Sequence, residues 1–322
     1  MQKSQNHRNT DNICTLCGCD RFYNFSQIDV KVLRRLWNGI GGVSVGDAFS
    51  GIDHMEFKMC RDCDIGIFAP AKSGDGRFYE DFSRRRRTYY QKDKFEFALA
   101  GKMVKPYFKV LEIGGGVGNL QQHITCDSYI CLEKNGAAVE NAASLGNCVI
   151  EGDISDYSRE NRERFDVVCM FQVAEHVETP GEFIKNASVC LKTGGLLIVS
   201  VPDCESFIRY LPNSINNLPP HHITWWNKKT LRAIGREYGF DVELMDIRQE
   251  KLDRLHYSSH IEATLCRIVF SALRKRPPFI LGGRVMRTGY KMLQAVTAAL
   301  VKAGFSVYDE RGHTIVGVYR KI

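Results

Sequence analysis

The chain has 322 residues, 44% hydrophobic and 25% charged, with a net charge of +7. That composition argues against a disordered chain, and the length suits one large domain plus a smaller unit. The N-terminus MQKSQNHRNTDN lacks an apolar segment, and the longest apolar-rich run, 292–301, falls short of the ~20 residues of a membrane span. The expectation is therefore a cytoplasmic protein with no span. The modest positive charge permits a phosphorylated substrate, nucleic acid or an anionic membrane surface without choosing among them.

Residues 13–70 are rich in turns and carry two Cys-x-x-Cys pairs, Cys14/Cys17 and Cys60/Cys63, separated by 42 residues. Each pair sets two thiolates on one tight turn, and two such turns supply tetrahedral sulfur coordination with no open position, the pattern of a structural zinc site. Cys19 is a competing ligand, while Cys126, Cys131, Cys148, Cys169, Cys190, Cys204 and Cys266 stand alone among mostly apolar neighbours and read as small core residues. The polar, basic stretch 73–94 reads as a connector, and 94–104 has helical spacing.

From residue 109 short apolar runs alternate with helical segments: 110–113, 129–133, 148–153, 166–171 and 196–201 as strands, 135–145 and 180–192 as helices. Such alternation predicts βαβ units, a parallel sheet covered on both faces, and a ligand at the C-terminal strand ends. Helix 228–238 and strand 240–247 follow. Two amphipathic segments come next, with Ile261, Leu265, Ile268, Val269 and Ala272 on one face of the first and Met286, Tyr290, Leu293, Val296 and Leu300 on one face of the second. A last strand spans 313–321.

The run VLEIGGGVGN (110–119) ends the first strand of this region. A nicotinamide loop has the form G-x-G-x-x-G, which seats a diphosphate on a helix N-terminus. Here the spacing is E-x-G-x-G-x-G, with Glu112 before Gly114, Gly116 and Gly118. An acid at that point repels a diphosphate and suits a ligand that carries positive charge, such as the ammonium and sulfonium of S-adenosylmethionine. Glu133 closes the second strand 21 residues later, where a carboxylate takes two ribose hydroxyls, and Asp153 with Ile154 follows the third, beside an adenine.

Together with FDVVCMFQVAEHV (165–177) and LKTGGLLIVSVP (191–202), these runs make the chain resemble class I S-adenosylmethionine-dependent methyltransferases over about residues 108–250 plus the last strand. The resemblance implies a Rossmann-like, seven-stranded α/β core. It also implies that Gly114, Gly116 and Gly118 wrap the methionine part, Glu133 holds the ribose, Asp153 meets the adenine amine and Gln172 lies near the methionine end. A flavin or nicotinamide domain, or a domain that binds the cofactor without catalysis, is the alternative.

The cysteine module, YYQKDKFEFALA (89–100), QVAEHV and PPHHITWW together are similar to bacterial methyltransferases of surface-polysaccharide and deoxysugar pathways. In that family the sugar C-methyltransferases carry a further C-terminal domain. This chain ends on what reads as the seventh core strand, so the expected acceptor is an oxygen or nitrogen of a sugar, nucleotide sugar or glycan precursor. The expected organisation is a zinc-knuckle module over 1–80, a basic connector and capping helix over 81–107, the cofactor-binding core over 108–250, a helical lid or interface over 251–312 and the last strand over 313–322.

A hydroxyl is a poor nucleophile, so a base within hydrogen-bond reach helps. Glu175 and His176 follow the fourth strand of the core, and His221 and His222 sit in the loop after the fifth. His176 is the first choice as base and His222 the next; bracing of their loops is the bland reading of all three histidines. A metal shared by His176 and His221 follows no known ligand spacing. Trp225 and Trp226 are candidates for stacking on a sugar ring, and Tyr89 and Tyr90 for capping the cofactor or for packing. The run Arg84–Arg87 is either a solvated face or a phosphate grip, which would admit an RNA substrate. The missing Asn-Pro-Pro-Tyr-like motif after the fourth strand counts against amino methylation of nucleic acid. Arg274, Lys275 and Arg276 with the helices 258–303 suit a lid, a homo-oligomer contact or a peripheral membrane patch, and core packing is the favoured reading of these helices.

Overall fold

A computed structural model describes residues 12–86, 89–245, 254–275, 278–281, 284–305 and 313–322. In chain order its elements are β1 (Phe22–Asp29), α1 (Val30–Leu36), β2 (His54–Cys60), β3 (Gly66–Ala69), α2 (Gly76–Arg85), α3 (Phe95–Met103), β4 (Lys109–Ile113), β5 (Ser128–Glu133), α4 (Gly136–Ser144), β6 (Val149–Glu151), α5 (Ile154–Glu160), β7 (Phe165–Phe171), α6 (Pro180–Cys190), β8 (Leu191–Pro202), β9 (Thr224–Trp225), α7 (Lys228–Tyr238), β10 (Phe240–Met245), α8 (Arg254–Ala272), α9 (Arg284–Lys302) and β11 (Thr314–Lys321).

Seven strands form one sheet in the order β10-β11-β8-β7-β4-β5-β6. The five from β4 to β8 run parallel, while β11 lies antiparallel between β8 and β10. The expected Rossmann-like α/β core with its seven strands is therefore present. β4, β7 and β8 are buried along most of their length because helices cover both faces. Strand order reverses at β4, with β5 on one side and β7 on the other, which opens the ligand crevice at their C-terminal ends. Local chemistry sets the helix ends: the side chains of Asn135 and Asn227 accept backbone N–H bonds at the starts of α4 and α7, and Gly239, at φ +70°, closes α7.

A second sheet has the order β1-β2-β3-β9. Its first three strands come from the N-terminal unit, but β9 is contributed by the segment directly after His221 and His222. The polar stretch expected to be a connector is instead α2. Asp75 accepts from Phe78 N at 2.8 Å to start the helix, and Phe78 and Phe82, one turn apart, pack edge-on against the buried Trp37. The boundary drawn at residue 80 thus falls inside a helix of the N-terminal unit.

Helices α8 and α9 come between β10 and β11 in the chain, and their inner faces match the expected stripes only in part: Ile261 is buried, and Tyr290 and Leu293 pack against Cys266, Phe270 and Leu281. On α8 the buried residues include Ala263, Cys266 and Phe270, whereas Ile268 and Val269 are exposed; on α9 Met286 and Val296 are exposed and Thr297 is buried. Apolar residues occupy more than one stripe of each helix, so periodicity alone does not select the inward one. No helix among the described residues is long and apolar enough to cross a membrane.

Candidate active site

The glycine loop leaves β4 with Gly114, Gly116 and Gly118 all at positive φ, between +61° and +74°. Side chains are barred by more than conformation. A Cβ on Gly114 would lie 2.7 Å from Val173, and one on Gly116 would lie 2.5 Å from the Tyr90 ring. Glu133 anchors the loop at the end of β5, accepting from Gly116 N at 2.9 Å and from Asn135 N at 2.8 Å. Glu112 lies under the loop, with an oxygen 2.5 Å from where a Gly115 Cβ would stand. Its carboxyl accepts from the Tyr129 hydroxyl, and burial raises its pKa above the ordinary carboxylate value.

Beside the loop, β7 is followed by Gln172, Val173 and a short turn that carries Glu175 and His176. The loop after β8 brings His221 and His222 against them. The backbone N–H groups of both histidines turn back to Leu218 O at 3.1 and 3.2 Å, which stacks their rings 4.6 Å apart, and the His176 ring lies 4.5 Å from that of His221. His176 and His222 approach Glu175 Oε1 to 3.8 and 3.9 Å through Nε2. Burial drives the His176 pKa down to about 4 and those of His221 and His222 well below the usual value, while it pushes Glu175 up to about 8. Among the described residues, neither Glu175 oxygen, nor His221 Nε2, nor the nearby Tyr79 hydroxyl has a hydrogen-bond partner. All four catalytic candidates therefore converge in one buried polar cluster. A hollow of about 350 Å³ lined by Phe108, Asp166, Lys192 and Arg320 opens at the opposite end of the strands.

Comparison with known proteins decides the family. The methyltransferase domain family matches residues 82–244, half of the chain. The chain belongs to this family, the class I S-adenosylmethionine-dependent methyltransferases. A mitochondrial ubiquinone biosynthesis O-methyltransferase of Dictyostelium discoideum is 38% identical over 120 residues, 32% of this chain and 37% of that protein. A probable S-adenosylmethionine-dependent methyltransferase of Mycobacterium tuberculosis is 31% identical over 172 residues, 51% of this chain and 61% of that one. The matches thus span less than two thirds of these relatives. A solved S-adenosylmethionine-dependent methyltransferase from Archaeoglobus fulgidus is similar over 76% of this chain and 100% of its own, at 15% identity and a TM-score of 0.49.

The residues of this methyltransferase fit its donor. The backbone at Gly114 and Gly116 packs too closely on Val173 and Tyr90 to admit side chains, and acids stand beneath and beside the loop at Glu112 and Glu133. Tyr90 covers Gly116 as a cap would. Other expected contacts are engaged elsewhere. Asp153 caps α5 through Ser155 N at 2.9 Å and pairs with Lys134 at 3.1 Å, and Ile154 is buried in the core. Gln172, at φ +60°, turns its amide toward Glu96 and Ser200, at 3.2 and 3.3 Å, rather than toward the loop. Trp226 is fully buried, and Trp225 packs on Phe57, Phe68 and Phe279 with its indole N–H on Asn217 O. Trp226 is therefore closed to a sugar, while Trp225 is half-buried.

In the N-terminal unit the four paired cysteines meet, Cys14 Sγ 3.6 Å from Cys63 Sγ and Cys17 Sγ 3.6 Å from Cys60 Sγ. All four sulfurs lie within 4.8 Å of one another. A tetrahedral zinc–thiolate shell, with Zn–S of about 2.3 Å, spaces its sulfurs by about 3.8 Å, so the set fits zinc. The bond with Cys63 pulls Cys14 down to about 6, whereas burial pushes Cys60 up to about 12; four thiolates need a cation to coexist here. Cys19 is outside the set and meets the Arg21 backbone. The first knuckle is tied to the methyltransferase core: Gly181 N donates to Thr15 O at 3.0 Å and the Tyr238 hydroxyl to Leu16 O at 2.7 Å.

The arginine run is divided. Arg84 pairs with Glu80 and Asp81, Arg86 lies 4.7 Å over the Phe82 ring, and Arg87 is outside the described residues. Sequence reasoning missed Tyr79. The four-residue spacing of Phe78 and Phe82 marks the helix that presents it.

Proposed function

We propose that this methyltransferase moves the methyl group of S-adenosylmethionine to an oxygen, or a nitrogen, of a sugar, nucleotide sugar or glycan precursor in surface-polysaccharide or natural-product assembly. The observation that carries the reading is the buried cluster of Glu175, His176, His221, His222 and Tyr79, whose unpartnered polar atoms lie beside the glycine loop. Leaving such groups unpaired costs roughly 1–3 kcal/mol each, and a polar acceptor relieves that cost. The O-methyltransferase among the relatives supports an oxygen acceptor.

When bound, S-adenosylmethionine supplies an electrophilic methyl carbon on a sulfonium. Gly114, Gly116 and Gly118 let the backbone approach it. Glu133 turns toward the ribose hydroxyls, and Glu112 sets a negative charge under the amino end. Tyr79, Tyr89 and Tyr90 keep water out. The acceptor's proton is met by the histidine cluster, with His176 first in place at the end of β7 and His222 next. Alignment of acceptor and methyl group in a closed site supplies much of the rate. A zinc held by Cys14, Cys17, Cys60 and Cys63 has a structural part, since its shell is closed.

S-adenosylhomocysteine release is the test, with a nucleotide-sugar pool and bulk RNA offered in parallel. Turnover with the sugars alone is expected. Turnover with RNA alone overturns the acceptor reading.

A further inference from the structure

We infer that His176, His221 and His222, with Glu175 beside them, form a second metal centre that takes a divalent transition cation of the zinc class. One ring nitrogen from each histidine lies within 4.8 Å of the other two. The orientation of the rings is what a ligand set needs. His176 Nδ1 is 2.6 Å from His221 O and His221 Nδ1 is 2.9 Å from Asn216 O. A carbonyl oxygen only accepts, so both Nδ1 atoms carry hydrogen and both Nε2 atoms present lone pairs. Backbone carbonyls that fix the far nitrogen in this way are the usual outer support of metal-bound histidine.

A bracing histidine would have both ring nitrogens satisfied, yet among the described residues His221 Nε2 is buried without a partner. Glu175 is 1% exposed and both its oxygens lack hydrogen-bond partners there, although Oε1 stands 3.8 Å from His176 Nε2 and 3.9 Å from His222 Nε2. An isolated carboxyl and three crowded imidazoles form an expensive arrangement for a dry interior. A cation among them gives the unpaired His221 Nε2 a partner and sets a positive charge beside the Glu175 carboxyl. Zn–N bonds of about 2.0–2.1 Å place tetrahedral neighbours about 3.4 Å apart, so the nitrogens need to close in by no more than about 1.5 Å.

The two metal sites of the chain differ in chemistry. Four thiolates close the first, whereas three nitrogens leave a position open at the second. That position suits the acceptor oxygen, a role that rests on the methyl-transfer reading above; the metal binding does not. With their Nε2 atoms on the cation the histidines are ligands in place of the base role given to them above, and the acceptor O–H releases its proton to water as the oxygen coordinates, before the site closes. The methyl carbon then leaves sulfur for that oxygen, the C–S pair stays on sulfur, and the cation changes no oxidation state.

Cobalt(II) is the probe, titrated into the whole chain after chelation and dialysis, with elemental analysis of the zinc-loaded protein alongside. Two cations per chain are expected, in two phases: one with the near-ultraviolet thiolate-to-cobalt band and one with only weak visible absorption. His221→Asn should bring the count from two to one and abolish the second phase while the thiolate band persists. One cation per chain in the unaltered protein, all of it under the thiolate band, overturns the centre whether or not methyl transfer occurs. Two cations without turnover on any oxygen acceptor would keep the centre and defeat the acceptor reading instead.

Discussion

The indole nitrogen of Trp37 donates to the carbonyl oxygen of Pro219 at 2.7 Å, across 182 residues of chain and inside the core. Two backbone bonds run the same way, Gly74 N to Pro220 O at 2.9 Å and Phe68 N to Ile223 O at 3.1 Å. With β9 paired to β3, the N-terminal unit clasps the loop that carries His221 and His222 from both sides. The unit therefore fixes the loop that carries the two candidate histidines without supplying any of them.

Trp37→Phe separates holding from binding. The ring contacts with Phe78 and Phe82 remain, the Pro219 carbonyl loses its donor, and about 1 kcal/mol of stability goes with it. Turnover should fall several-fold while S-adenosylmethionine affinity, measured by calorimetry, stays put, because no glycine-loop atom moves. Equal losses in both would mean that the loop and the cofactor site are one mechanical unit.

Removal of the cysteine-bound metal should reach further. Cys14 and Cys63 are buried in the same apolar cluster as Ile184, Leu231 and Ile234 of the core. Without the proposed zinc that cluster holds thiols where it needs fixed turns, so Cys63→Ser should lower the melting temperature and free Thr15 and Leu16 from α6 and α7. Far-ultraviolet circular dichroism should keep most of its amplitude, since the seven-stranded sheet has its own core. A variant that lacks the metal and melts with the unaltered protein would contradict a structural role.

Much of this is legible in the residues, and the reasons are physical. Buried parallel strands read as apolar runs, so β4, β5, β7 and β8 and the acids at their ends stand out in the chain. Closely spaced cysteine pairs need two tight turns, and the geometry of tetrahedral coordination does the rest. The histidine cluster is only half legible: each residue is marked as a candidate, but their meeting depends on a turn at Leu218 and a clasp from β3 that spacing does not encode. Gln172 and Asp153 take local partners that spacing does not encode either. Each sits at the right strand end, yet a local partner, Glu96 for one and Lys134 for the other, decides where its side chain points.

Glu133, the proposed ribose ligand, also holds the Gly116 and Asn135 amides. Glu133→Ala should weaken S-adenosylmethionine binding by roughly 1–3 kcal/mol, about a five- to 150-fold rise in Kd. Glu133→Gln keeps an oxygen for one amide and should retain part of that loss. Unchanged binding in the alanine variant would remove the carboxylate from the cofactor site.

Glu112 makes cofactor binding depend on pH. Burial keeps its carboxyl protonated above the ordinary value of 4.5, while the amino end of S-adenosylmethionine asks for a carboxylate. Binding therefore draws a proton off, and affinity should rise as pH climbs from the ordinary carboxylate range through the raised value, then level. Folding has the opposite sign. The folded chain keeps a proton that the unfolded chain has already released, so this group's contribution to stability is greatest below its ordinary pKa and is lost as pH rises through the raised one. Glu112→Gln should flatten both trends and weaken binding at neutral pH. An affinity that is already flat with pH in the unaltered methyltransferase would show that Glu112 stays neutral, or ionised, in both states.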